Sequence, residues 1–269
     1  MPDPMSDAMP DAMSDPSAGI EAEAWLGGRL RLYQPARGSH RAGTDAVLLA
    51  SLVAPGDDAV ICDVGAGTGA VGLSVAQRVP TARVVLVERD PDLADHARRN
   101  AALNGLQDRT TILTADVLVP GAARRAAGLD PEFADVVLTN PPFFEEGRYR
   151  ASPVAGKASA HGFPPGGLAA WLRTCVDILR PGGRLGLIHR ADALPACLDA
   201  LTGRFGGVAV RPVHARADQA AIRILITAVK GSRAPLALLP ALVLQDAEGH
   251  FTEATQALNG GRAWIGSPS

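Results

Sequence analysis

Two short stretches hold residues whose types and spacing can do chemistry. The first is Asp63-Val64-Gly65-Ala66-Gly67-Thr68-Gly69. Glycines at alternate positions let the backbone turn sharply and approach a ligand with no Cβ between them. The spacing differs from the dinucleotide fingerprint, whose third glycine comes later. No Gly-Lys-Ser/Thr follows to cradle a phosphate, so the ligand need not carry one. The second stretch is Asn140-Pro141-Pro142-Phe143. Asparagine before proline is held extended, and Pro141 has no N–H to offer. The Asn140 side-chain oxygen and the Pro141 carbonyl can then face one planar –NH2 group as a pair of acceptors. Such a site selects an amino group over a hydroxyl, which has a single proton to give. Asn-Pro-Pro is also an ordinary way to start a loop.

Two acids extend the first stretch. Glu88 directly follows the apolar run Val84–Val87. At the carboxyl end of a strand, where ligands of doubly wound sheets sit, it can accept both hydroxyls of a ribose. It can equally cap the next helix, a role for which Asp90 competes. Asp116, after Thr114-Ala115, can accept from an adenine amino group or be a plain loop acid like Asp108. Together these elements describe a pocket for a nucleoside without phosphates.

In this order and spacing, the glycine loop, Glu88 and Asp116 resemble class I S-adenosylmethionine-dependent methyltransferases over roughly residues 44–230. The resemblance implies S-adenosyl-L-methionine as cofactor. It puts Gly65, Gly67 and Gly69 at the methionine and ribose end, Glu88 on the ribose and Asp116 on the adenine. Asp63 would fix the loop and orient the methionine amino group. Asn140–Phe143 resembles the (Asn/Asp/Ser)-Pro-Pro-(Tyr/Phe) signature of amino methyltransferases, with phenylalanine keeping the ring of the commoner tyrosine.

The chemistry expected there is definite. The exocyclic nitrogen of adenine is a poor nucleophile, because its lone pair is delocalised into the ring. Two hydrogen bonds from its protons favour a tetrahedral nitrogen with that lone pair free. No strong base is needed, since the proton leaves easily after alkylation, and positioning and dehydration supply much of the rate. Phe143 would stack on the base for about 1–3 kcal/mol, and the base must be unpaired or flipped out.

The block Gln34-Pro35-Ala36-Arg37-Gly38-Ser39-His40-Arg41-Ala42-Gly43-Thr44-Asp45-Ala46-Val47-Leu48-Leu49-Ala50 narrows the resemblance. With the Asn140 motif it is similar to bacterial N6-adenine methyltransferases acting on the anticodon loop of valine tRNA. Leu242–Asp246 and Gly249–Thr252 are similar to the C-terminal end of that group. The resemblance implies tRNA as partner, a cytoplasmic enzyme, no metal, no membrane, and a monomer or weak dimer. Arg148, Arg150, Lys157 and His161 follow the acceptor motif and, with Arg37 and Arg41, are candidates for gripping phosphates; a solvated loop is the plain alternative. His189 reads as structural and Cys62 as core. Three rivals stand beside this reading. One is a methyltransferase of a protein glutamine amide, which normally carries a helical domain before the glycine loop. Another is a small-molecule O-methyltransferase, which wants a metal or histidine base. The third is a protein that senses S-adenosylmethionine without chemistry.

The elements that must position these residues alternate along the chain. Ala59–Val64, Ala82–Val87, Thr110–Thr114, Asp135–Thr139 and Arg184–His189 are apolar runs of buried-strand length. Between them fall helices over Ala46–Val53 (capped by Thr44 or Asp45), Val71–Arg78, Asp92–Asn104 and Leu168–Leu179, the last ended by Pro181-Gly182-Gly183, with Ala193–Leu201 after. Val208–Ala215 and Ala221–Val229 read as a closing antiparallel pair. The fold class is α/β: a Rossmann-like, doubly wound, mostly parallel seven-stranded sheet with that closing antiparallel strand pair. Leu236–Leu244 is expected to pack on the core.

Composition agrees with a globular domain: 47% hydrophobic and 20% charged over 269 residues. Residues 1–24 hold six of the 28 acids and no base, and read as a disordered acidic tail. Residues 25–269 are expected to form the methyltransferase domain. The remaining slight positive excess suits RNA without demonstrating it. Cys62, Cys175 and Cys197 show no metal-ligand spacing and read as free buried thiols. No signal peptide or membrane span is expected.

Overall fold

The computed structural model describes residues 21–35, 41–145, 162–163 and 167–266. Its core is a sheet running through β3 (Val60–Val64), β4 (Arg83–Glu88), β5 (Thr110–Thr114), β6 (Ala134–Thr139), β9 (Leu179–Arg190), β10 (Phe205–His214) and β11 (Ala221–Lys230). Their spatial order is β10-β11-β9-β6-β3-β4-β5, with β11 antiparallel to both neighbours and the rest parallel. These are the seven strands expected from the apolar runs. Two two-residue strands, β12 (Ala237–Leu238) and β13 (Leu242–Val243), pair side by side along the outer edge of β10. A small hairpin of β1 (Glu23–Trp25) and β2 (Leu30–Leu32) precedes the sheet, and its first two residues fall in the stretch read as tail. β7 (Phe144–Glu145) and β8 (Gly162–Phe163) form a separate pair.

Helices cover both faces, which is why the central strands β3, β4 and β6 are apolar over most of their length. Within β3, Ile61 faces one core and Cys62 and Val64 face the other. α1 (Thr44–Ala50), α2 (Ala70–Arg78), α3 (Pro91–Leu103) and the late α7 (Glu253–Asn259) lie on the first side. α5 (Gly167–Ile178) and α6 (Leu194–Leu201) lie on the second; the short α4 is Gly121–Ala126. Pro91 at the first turn and the Asp90 carboxylate, which accepts from the N–H groups of Asp92 and Leu93, start α3. Gly105, at φ 65°, ends it. The segment after α7 returns to the first side, where Arg78 stacks 3.5 Å from the Trp264 ring centroid and Ile265 donates to the Ser51 carbonyl.

Three expectations are corrected. Neither Thr44 nor Asp45 caps α1: Gly43 occupies the cap with no side-chain bond, and Asp45 instead pairs with Arg223 on β11. Pro181-Gly182-Gly183 does not separate helix from strand. α5 passes directly into β9 at Leu179, and the Pro-Gly-Gly stretch is a bulge opposite Ala134–Val136. Leu236–Leu244 packs only at its end: Leu236 and Leu238 are 50% and 74% exposed, whereas Leu244 is buried. Cys62, Cys175 and Cys197 are free and buried, and burial pushes the Cys197 thiol up to about 12. Among the described residues no helix is long and apolar enough to cross a membrane.

Candidate active site

Strand register brings the two motifs together. β3 and β6 are parallel neighbours with Val64 opposite Thr139, so Gly65 and Asn140 emerge side by side from their carboxyl ends. The chain runs outward from β3 through β4 to β5, while β6 lies on the other side of β3. This is the reversal point at which open α/β sheets form a crevice. A cavity of about 430 Å³ opens there. Asp63, Gly65, Gly67, Asn140 and Phe143 line it, with the Arg41–Asp45 stretch as one wall, joined by Ile222 and by Arg223, the ion-pair partner of Asp45. Gly69, Glu88, Asp116, Pro141 and Pro142 do not.

The glycine loop is held from beneath. Gly65 and Ala66 donate to the Val87 carbonyl at 2.9 and 3.0 Å. Gly67 donates to Glu88 Oε2 at 2.8 Å, and Asp90 N–H donates to Oε1 at 2.9 Å. Glu88 thus holds the loop through Oε2 while Oε1 takes the N–H of Asp90 at the start of α3, which leaves further lone pairs on both oxygens. Gly65, Gly67 and Gly69 all have positive φ, between 55° and 85°. At Gly65 a methyl group would strike the Trp171 ring 2.9 Å away, whereas at Gly67 it would meet nothing within 4 Å. The open side of the loop is therefore a cradle that any side chain would fill.

Asp63 is fully buried and accepts the Gly72 N–H at 2.9 Å. Burial pushes its carboxyl up to about 7, the Gly72 N–H pulls it down, and the Glu88 charge adds to the rise. Asp116 accepts the Leu118 N–H through Oδ1 in a local turn.

At the other motif, Thr139 donates to the Val64 carbonyl and accepts from Trp171 Nε1, at 2.9 and 2.8 Å. This buried chain fixes the end of β6 against β3. Asn140 Oδ1 is buried with no hydrogen-bond partner, and a buried acceptor without a donor costs about 1–3 kcal/mol. The Phe143 ring meets the His189 ring edge-on at 5.2 Å, and the Arg223 guanidinium stands 5.3 Å from its centroid. His189 is buried, and that burial pushes its imidazole down to about 4; its Nδ1 accepts the Arg190 N–H. A neutral ring therefore backs Phe143.

Trp171, Asn100 and Arg223 left no local signal in the sequence, because the groups they meet lie far along the chain. Arg41 pairs with Glu23 and donates to the Pro35 carbonyl. Arg37, Arg148, Arg150, Lys157 and His161 lie outside the described residues. Among the described residues no group of three or more His, Cys, Asp or Glu side chains is placed to hold a metal ion.

Comparison with known proteins gives consistent matches. Residues 39–160 match the family model described as methyltransferase small domain. A tRNA1(Val) (adenine(37)-N6)-methyltransferase of Shewanella amazonensis is 32% identical over 80% of this chain and 88% of its own length. One of the same description from Porphyromonas gingivalis is 34% identical, and the chain spans 60% of its length. A release factor glutamine methyltransferase of Mycolicibacterium smegmatis is 35% identical over 57% of this chain and 54% of its own. A crystal structure of a predicted O-methyltransferase from Agrobacterium tumefaciens superposes with a TM-score of 0.70 at 37% identity, covering 82% of this chain and 98% of that one.

Proposed function

Because the chain belongs to the S-adenosylmethionine-dependent methyltransferases of the small-domain family, we propose that it methylates an exocyclic amino nitrogen, adenine N6 of a tRNA. The observation that carries the reading is the buried, partnerless Asn140 Oδ1 in the wall of the cavity. An acceptor kept dry and unpaired is ready for an N–H donor brought by a substrate. The names of the Shewanella and Porphyromonas relatives supply adenine and tRNA.

The residues present fit the cofactor. The empty side of Gly67 admits a ligand close to the backbone, and the Asp63 carboxyl suits a cation beside it. Glu88, with lone pairs to spare, would take ribose hydroxyls, Asp116 the adenine, and Gly65 and Gly69 would shape the loop. When bound, S-adenosylmethionine supplies a methyl group carried on a positively charged sulfur. Asn140 Oδ1 and the Pro141 carbonyl accept the two protons of the target –NH2 and hold its lone pair toward the methyl group. Pro142 keeps that backbone rigid. Phe143, backed by neutral His189, stacks on the base. The release of one proton from the alkylated nitrogen needs no dedicated base. Residues 25–269 act in this reading as one catalytic domain.

The test is transfer of labelled methyl groups to total RNA that lacks the modification. Label recovered as N6-methyladenosine, and lost in Asn140→Ala with cofactor binding intact, supports the proposal. A glutamine amide also presents an –NH2 group, and the Mycolicibacterium relative carries that description. Label confined to release factor would replace adenine by that acceptor.

A further inference from the structure

We infer that Asn100 is a positioning residue that couples the glycine loop to the N-terminal segment forming one wall of the cavity. Asn100, in the last turn of α3, and Asn104, its C-cap, lie four residues apart and reach the same side of the helix. Asn104 Oδ1 accepts the Arg31 N–H at 2.9 Å and its amide nitrogen donates to the Arg31 carbonyl at 2.7 Å. Asn100 does the same to Tyr33, accepting its N–H at 2.7 Å and donating to its carbonyl at 3.0 Å. Four helix residues and two strand residues span nearly the same length, about 6 Å and about 6.6 Å. The two side-chain amides therefore act as a neighbouring strand for the free edge of β2 and the residue after it.

Asn104 spends its third bond on the Asn100 carbonyl, at 2.7 Å, whereas Asn100 reaches the glycine loop. Its amide nitrogen also donates to the Thr68 carbonyl, inside the glycine loop, at 2.9 Å. The side chain is fully buried, and all its bonds run to backbone. From Tyr33 the connection continues through Gln34, also buried, whose Oε1 accepts the Ala42 N–H at 2.8 Å. Ala42 stands in the cavity wall beside Arg41 and Gly43. One amide thus sets the distance between loop and wall. Asn104 docks the same segment without touching the loop.

That difference makes the test, which rests on the reading that the loop holds the cofactor. Binding of S-adenosylhomocysteine would be measured by calorimetry on the full chain carrying Asn100→Asp or Asn104→Ala, with thermal midpoints taken in parallel. Asn100→Asp keeps the shape and the acceptor for Tyr33 but removes both donated bonds, and puts a carboxylate against two carbonyls. Binding about tenfold weaker than in Asn104→Ala, a raised KM for S-adenosylmethionine and a kcat within about twofold of wild type are expected. Wild-type affinity in Asn100→Asp, or losses in both variants that simply track their midpoints, would overturn the inference. No binding by the wild type would overturn the reading of the loop itself.

Discussion

The contact between Gly65 and Trp171 gives a quantitative test of how the cofactor loop is held. Gly65→Ala forces an L-residue to φ 77°, which costs about 1 kcal/mol. It also sets a methyl group 2.9 and 3.1 Å from two atoms of the Trp171 ring, an overpacking of about 1–3 kcal/mol. The single variant should lose about 2–4 kcal/mol. Trp171→Phe withdraws the ring from that space. It also removes the N–H given to Thr139 and leaves its buried hydroxyl short of a donor, at about 1–3 kcal/mol. In the double variant the overpacking is gone, and the backbone cost of alanine and the donor missing at Thr139 remain. The double should be more stable than the sum of the singles by about 1–3 kcal/mol. Urea midpoints at constant slope give all four corners of the cycle. A coupling below about 0.5 kcal/mol would refute the reasoning, since it would mean that the indole yields freely and does not fix the loop.

Three more outcomes are expected. The buried Asp63 carboxyl, raised from 3.8 to about 7, contributes stability present below 3.8 and lost as pH rises through about 7. A cation bound beside it restores the carboxylate, so S-adenosylmethionine binding should release a proton near pH 6 and tighten toward pH 8. Calorimetry in buffers of different ionisation enthalpy reads this, and Asp63→Asn should abolish it. His189 is the opposite case. Its imidazole is lowered to about 4, so its contribution is present above 6.5 and lost as pH falls through about 4, about 3 kcal/mol in all. His189→Asn keeps an acceptor for Arg190 N–H and should flatten the acid limb of the stability curve; an unchanged limb would place the acid sensitivity elsewhere. Phe143→Leu should raise KM for RNA roughly 5- to 150-fold, the equivalent of about 1–3 kcal/mol of stacking, while Phe143→Tyr stays near wild type. Equal kinetics for the two would remove the ring from substrate binding.

What the sequence made legible follows from how far each signal reaches. Strands buried in a sheet are rich in apolar and β-branched residues whether their neighbours run parallel or antiparallel, so all seven showed as runs, and the register of Val64 with Thr139 then set the glycine loop beside Asn140. Asp90 was visible as a cap because its partners are two and three residues away. Thr44 and Asp45 looked like caps by the same local rule, and the rule failed because Asp45 has a partner 178 residues on, Arg223. The Pro-Gly-Gly stretch read as a stop, although glycines also allow a bulge inside a strand. Asn100 offered no signal at all, since its partners are backbone groups of a hairpin and a loop that only the tertiary fold brings to it. Glu88 was legible as a carboxylate where an apolar run ends, and it is the last residue of β4, but its grip on Gly67 belongs to the fold and not to local spacing.

The outer edge of the sheet has a consequence for life at high concentration. Beyond β10 the sheet ends in two fragments, each two residues long, with Pro240 in the gap between them. A full-length strand there would offer an unbroken row of N–H and C=O groups to any passing chain, the template on which fibres grow. These stubs are too short to register a partner, and Pro240 has no N–H to give and spends its carbonyl on Arg211. The long β10–β11 ribbon thereby presents no unbroken free edge to its copies on that side of the sheet.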